Sequence, residues 1–70
     1  MSLSYKLDVL SCLKEKGYNT SRLRRERILS ESTIQKFRQG KMVSPDNIET
    51  LCKILECQPG DIMEYIPDED

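Results

Sequence analysis

The stretch NTSRLRRERILSESTIQKFRQG, from Asn19 to Gly40, decides how this 70-residue chain folds. Asn19 and Thr20 are good helix N-caps, because a short side-chain oxygen there accepts from the unpaired N–H groups of the first turn. The helix they open runs through Ser21 to Glu26, has Leu23 as its main apolar anchor, and ends before Ile28 and Leu29. Ser30 then caps a second helix, Glu31 to Gln39, in which Ile34 and Phe37 stand three apart and face inward. Glu31, Ser32, Gln35, Lys36, Arg38 and Gln39 are left facing outward, and Gly40 is a helix stop. Only about three residues remain between the two helices. Two short helices joined this tightly form a helix-turn-helix unit.

The flanking segments supply the helices that would hold this unit. Tyr5 to Lys16 carries Val9, Leu10, Cys12 and Leu13 at helical spacing, with Gly17 following as its stop. Ser44-Pro45-Asp46 combines a capping serine, a proline at the first helical position and an acid in the first turn. Ile48, Leu51, Cys52 and Leu55 follow at i, i+3, i+4 and i+7, the clearest amphipathic stripe in the chain. Gln58-Pro59-Gly60-Asp61 is a turn or short helix start, after which Ile62, with Met63 or Tyr65 and Ile66, would close the bottom of the core. Ile62 and Ile66 also fit a dimer seam, and spacing does not separate the two roles. The expectation is one all-α domain over residues 1–70, with a core at 5–66 and an acidic tail at 67–70.

Composition narrows the function. The net charge is −1, but its distribution is polarised. Residues 20–41 hold seven Lys/Arg and two acids, whereas residues 42–70 hold one Lys and eight acids. A local basic field of this kind steers a phosphate backbone whatever the total charge. There is no histidine, which removes the commonest general base and the commonest neutral metal ligand. The three cysteines, Cys12, Cys52 and Cys57, contain no CxxC pair and do not match zinc spacing. They read as small hydrophobes, with no disulfide framework and no cofactor. Neither a nucleophile–base pair nor a phosphate-cradling glycine loop is present, so an enzyme is not expected. No run approaches a membrane span and the N-terminus lacks a signal-peptide pattern, so the expected compartment is the cytoplasm.

The run from Leu23 to Phe37 resembles the helix-turn-helix of the phage Cro and cI repressor superfamily, the XRE-type regulators. The later stretch, Ser44 to Ile48 and Leu51 through Cys57-Gln58-Pro59-Gly60-Asp61-Ile62, resembles the fourth and fifth helices of small bacterial members. The resemblance covers about residues 5 to 66. It implies a lambda-repressor-like fold of five short helices, with the helix-turn-helix formed by the second and third. It also implies a transcriptional regulator that inserts the helix of about Ser30–Gln39 into the major groove of operator DNA, commonly as a homodimer on two half-sites. Two positions depart from the pattern. Ile28 falls where the turn usually holds a glycine, and a β-branched residue resists φ > 0. Either the turn is reshaped or its register shifts by one. Arg24 falls where a small buried residue is usual.

Carried onto this chain, the base-reading positions are Ser30, Glu31, Ser32, Gln35 and Lys36, and phosphate contacts are expected from Thr20, Arg22, Arg25, Arg27, Arg38 and Lys41. The chemistry agrees with the assignment. Gln35 matches adenine N6 and N7, Lys36 matches guanine O6 and N7, and Ser30 or Ser32 suits either. Glu31 has two readings: it accepts from cytosine N4, or it opposes the helix dipole. The arginines are read as phosphate contacts against the plainer alternative of a solvated face, and Lys41 as a phosphate contact or mere loop decoration. Tyr5, Tyr18 and Tyr65 suit core edges better than base stacking. The competing function is a protein-interaction module, anti-regulator or antitoxin-like, that keeps the fold, does not bind DNA and works through the acidic end.

Overall fold

The computed structural model describes residues 2–67. The element order is β1 (Ser2–Tyr5), α1 (Val9–Glu15), α2 (Thr20–Arg25), α3 (Glu31–Gln39), α4 (Pro45–Leu55), α5 (Pro59–Ile62) and β2 (Met63–Ile66). The five helices stand in the expected order, in a lambda-repressor-like arrangement. Beyond Pro67, the expected acidic tail lies outside the described residues.

Local chemistry sets the helix starts. The Asn19 side chain accepts from the Arg22 N–H (2.8 Å) and Ser30 Oγ from the Thr33 N–H (3.2 Å), capping α2 and α3 as the sequence predicts. Asp8 caps α1 through the Ser11 N–H (3.2 Å), so this helix starts at Val9 and leaves Tyr5 outside it. Ser44 makes no side-chain capping bond, and Pro45 alone presets the first turn of α4. At α5 the Asp61 carboxylate reaches back to the Gln58 N–H (2.9 Å).

The helix ends follow one pattern. α1, α2, α3 and α4 are each followed by a left-handed residue, respectively Gly17, Arg27, Gly40 and Glu56. After each of them the next N–H reaches back five residues: Tyr18 to Leu13 O, Ile28 to Leu23 O, Lys41 to Lys36 O and Cys57 to Cys52 O, at 2.8–3.1 Å. These closures satisfy carbonyls that the helix end would otherwise orphan. The positive φ of the helix-turn-helix turn therefore belongs to Arg27 (φ 55°), not Ile28. The register shifts by one, which leaves the β-branched residue in ordinary backbone with its side chain half-buried against the core.

Val9, Leu13, Leu23, Leu29, Ile34, Phe37, Ile48, Leu51 and Ile62 form a single buried cluster, so every helix contributes to one core. Tyr5 packs edge-on to Phe37 (ring centroids 5.7 Å apart), and its hydroxyl donates to Lys41 O (2.8 Å). Burial raises the Tyr5 pKa above its usual value.

The two-stranded sheet departs from a purely helical reading. β1 and β2 pair antiparallel, with Leu3 opposite Tyr65 and Tyr5 opposite Met63. The chain straightens at Met63, so only Ile62 of the expected closing set is fully buried, while Tyr65 and Ile66 stay exposed. The strands come from opposite ends of the chain, and no turn motif announces their pairing. The three cysteines are half-buried and unpaired, with Cys52 and Cys57 packed against the core. Burial pushes the Cys57 thiol pKa up. No helix among the described residues is long and apolar enough to cross a membrane.

Candidate nucleic-acid interface

α3 presents one buried and one open face. Thr33, Ile34 and Phe37 are buried, whereas Ser32, Lys36, Arg38 and Gln39 are exposed and Gln35 is half-exposed. Ser32, Gln35, Lys36 and Gln39 recur at i, i+3, i+4 and i+7, so they form one polar stripe opposite the core. Gln39 belongs to this stripe although sequence reasoning kept it outside the reading set; the seven-residue interval from Ser32 is the signal for it.

The position of α3 is fixed from several sides. Leu29, 3% exposed, anchors the turn in the core. Ser30 Oγ lies 2.9 Å from Thr33 Oγ1 and 3.2 Å from Ser32 Oγ. Thr33 Oγ1 in turn accepts from Asn47 Nδ2 of α4 (3.4 Å). Ser30 is thus committed to the cap and to this hydroxyl chain, while the Ser32 side chain stays exposed beside it.

An ionic network crosses the turn. Arg24 donates to Glu31 through Nε, and again through Nη2 (3.3 Å), joining the end of α2 to the start of α3. Gln35 Nε2 donates to Glu31 Oε1 (3.0 Å). The Arg24 guanidinium, and next the Gln35 amide, hold the Glu31 carboxyl below its usual pKa. Arg24 therefore does not occupy the small buried position the pattern suggests. It stands exposed at the surface and neutralises the one acid on the outward face of α3.

The basic residues divide by their partners. Arg22 turns back toward α1: Nη1 donates to Gly17 O (3.1 Å), Nε to Glu26 (2.6 Å), and the guanidinium sits 4.0 Å over the Tyr18 ring. The hydrogen bond to Glu26 raises its pKa further. Arg25, Arg27, Lys36, Arg38 and Lys41 are exposed, and no carboxylate pairs with them among the described residues. Arg27 lines a shallow recess of about 370 Å³ with Arg24, Leu29, Ser30 and Glu31, beside the start of α3. Lys41 follows the end of the same helix, where the Tyr5 hydroxyl holds its carbonyl. Arg27 and Lys41 thus bracket α3. Arg25 makes no side-chain hydrogen bond or ion pair with that helix among the described residues, and Thr20 is half-buried at the first position of α2.

Comparison with known proteins identifies the domain family. The Cro/C1-type HTH DNA-binding domain matches residues 6–68. A Bacillus subtilis (strain 168) protein, described as the uncharacterized HTH-type transcriptional regulator YozG, is 45% identical over 42 residues. That stretch is 60% of this chain and 50% of the relative, so it spans half of the relative's length. No solved structure matches the chain.

Proposed function

The chain belongs to the Cro/C1-type HTH DNA-binding domain family, and on that premise we propose that it is a sequence-specific transcriptional regulator whose α3 reads base edges in the major groove of double-stranded DNA. The observation that carries this reading is the polar stripe of α3, rigidly backed by the core and cleared of net negative charge by Arg24. A helix bearing amide, hydroxyl and ammonium groups on its open face has the donors and acceptors that base edges require. The cations at its ends position the helix on the phosphates.

Gln35 is the central reader in this proposal. Its Nε2 has two protons, and Glu31 takes one. The other proton and Oε1 remain for adenine N7 and N6, the bidentate pair that specifies an A·T base pair. Glu31 acts as a positioning residue, because its carboxylate forces the donor end of the amide toward itself. Lys36 serves guanine O6 and N7, Ser32 adds a hydroxyl, and Gln39 extends the stripe toward the next bases. Ser30 contributes chiefly by capping. Arg25, Arg27, Arg38 and Lys41 hold phosphates, with Thr20 at the start of α2. Arg22 is the weakest member of that set, since binding phosphate would cost it three existing interactions. The proposed site of action is the cytoplasm, wherever the operator lies, with two copies acting on paired half-sites.

The test is fluorescence anisotropy with labelled duplexes over a range of salt. The proposal expects log K to fall linearly with log salt, with a slope of about −0.9 per phosphate neutralised, so roughly −3 to −5 for this set. Binding without salt dependence, or no binding to any duplex at low salt, contradicts it.

A further inference from the structure

A chain of hydrogen bonds runs from α4 to the outer face of α3. It joins Asn47 Nδ2 to Thr33 Oγ1 (3.4 Å), Thr33 Oγ1 to Ser30 Oγ (2.9 Å) and Ser30 Oγ to Ser32 Oγ (3.2 Å). Its inner end is enclosed, since Thr33 is buried and Asn47 half-buried, and its outer end is the exposed hydroxyl of Ser32. The protons give this chain a direction. An amide nitrogen only donates, so Thr33 Oγ1 is the acceptor toward Asn47. The Thr33 hydroxyl proton then has Ser30 Oγ as its partner among the described residues, and a buried hydroxyl left without one is costly. Ser30 Oγ also accepts from the Thr33 N–H (3.2 Å), which fills both of its lone pairs. The Ser30 proton is left for Ser32 Oγ. Ser32 therefore accepts from the cap, and its own proton is turned out to the open face of α3.

We propose that Asn47 is a positioning residue that determines specificity: through Thr33 and Ser30 it fixes Ser32 as a hydrogen-bond donor to DNA. This rests on the reading of α3 as the major-groove helix. A serine hydroxyl that is free to rotate suits donor and acceptor edges alike. Held as a donor, it discriminates. Guanine presents N7 and O6, and thymine O4, all acceptors; cytosine presents only its N4 donor, and adenine one group of each kind. The base facing Ser32 is therefore guanine or thymine in preference to cytosine. Successive hydrogen bonds polarise one another, so the chain strengthens this bias along its length. A carboxylate at position 47 reverses it, because it only accepts. The Thr33 proton then passes to the carboxylate, the Ser30 proton to Thr33 and the Ser32 proton to Ser30, and Ser32 shows its lone pairs to the groove. Asn47→Asp keeps the size and shape of the side chain but turns the preference toward cytosine.

Selection of bound duplexes from a randomised pool by the parent, Asn47→Asp, Thr33→Val and Ser32→Ala tests this. The parent is expected to favour guanine or thymine over cytosine at the base facing Ser32 by about three- to tenfold, the net worth of one hydrogen bond. Asn47→Asp inverts that preference and leaves the base pairs read by Gln35 and Lys36 as in the parent. Thr33→Val, isosteric but unable to relay, levels it. In the Ser32→Ala background Asn47→Asp no longer alters the selected bases. A merely structural role for Asn47 would instead blur every position of the selected sequence together. The proposal is overturned if Asn47→Asp and Thr33→Val both keep the parent's base opposite Ser32, or if their effects persist without the Ser32 hydroxyl. In either case the Gln35 and Lys36 pairs stay enriched and the reading of α3 stands, whereas a parent that enriches no sequence refutes that reading and this proposal with it.

Discussion

Replacing Arg27 with glycine should make the protein more stable and a weaker DNA ligand at once. Arg27 sits at φ 55° between α2 and α3. An L-residue with a Cβ pays roughly 1–2 kcal/mol in that conformation. Glycine removes the strain but adds unfolded-state entropy worth about 0.4–1 kcal/mol. The Arg27 side chain is exposed and makes no hydrogen bond or ion pair among the described residues, so no packing term enters. The net expectation for Arg27→Gly is a gain of about 0.5–1 kcal/mol, or roughly 2–8 °C in Tm for a domain of this size. Arg27→Ala keeps the strain and should leave stability within about 0.5 kcal/mol of the parent. Both variants lose the same cation and should lower the salt slope of duplex binding by about 0.9. Thermal melts followed by circular dichroism, paired with anisotropy titrations, separate the two effects. If Arg27→Gly destabilises the fold by more than about 0.5 kcal/mol, only the entropy cost of glycine is present and the strain argument is refuted.

Further perturbations address other parts of the account. Leu23→Ala removes a fully buried side chain that anchors the α2 closure, at a cost of about 2–5 kcal/mol against a total of about 4–10 for a domain of this length; equilibrium denaturation should show a largely collapsed transition, and a change under about 1 kcal/mol would remove Leu23 from the core. The folded pKa of Glu31 lies below its unfolded value of about 4.5, so its contribution is present above that pH and is lost as pH falls through the folded pKa. Melting temperatures measured downward from pH 5 should fall less steeply for Glu31→Gln than for the parent, and parallel curves would show that the Arg24 pair carries nothing. Arg38→Ala should weaken binding to all duplexes equally, whereas Lys53→Ala, which removes a cation paired with Glu49 on α4, should leave binding unchanged; equal effects from the two would mean the cations of the site act only through net charge.

Much of this molecule was legible in the sequence, because its helix starts and two of its stops use residues with one dominant role. Asn19, Ser30 and Pro45 mark starts, and Gly17 and Gly40 mark stops. Arg27 and Glu56 perform the same left-handed closure without the glycine that would signal it, so the turn register came out one residue late. The core stripe was legible for the same physical reason: Ile34 with Phe37, and Ile48 with Leu51, obey the helical period that burial imposes. The ribbon was not. Its strands are four residues each, lie some sixty residues apart and have no turn between them, so only tertiary pairing reveals them. The Arg24–Glu31 bridge also escaped, since seven residues and a turn lie between its partners. In the candidate site, the outward face of α3 followed from spacing alone. The commitment of Ser30 to its cap and of Arg22 to Gly17, Tyr18 and Glu26 needed three dimensions to appear.

The most direct measurement is selection of bound duplexes from a randomised pool by the parent protein and by its Gln35→Ala and Lys36→Ala variants. The account predicts an enriched sequence for the parent, with each variant losing preference at its own one or two base pairs per half-site, about 1–3 kcal/mol each, and keeping the rest. No enrichment by the parent, or an enriched sequence that both variants retain unchanged, would contradict the placement of α3 in the major groove.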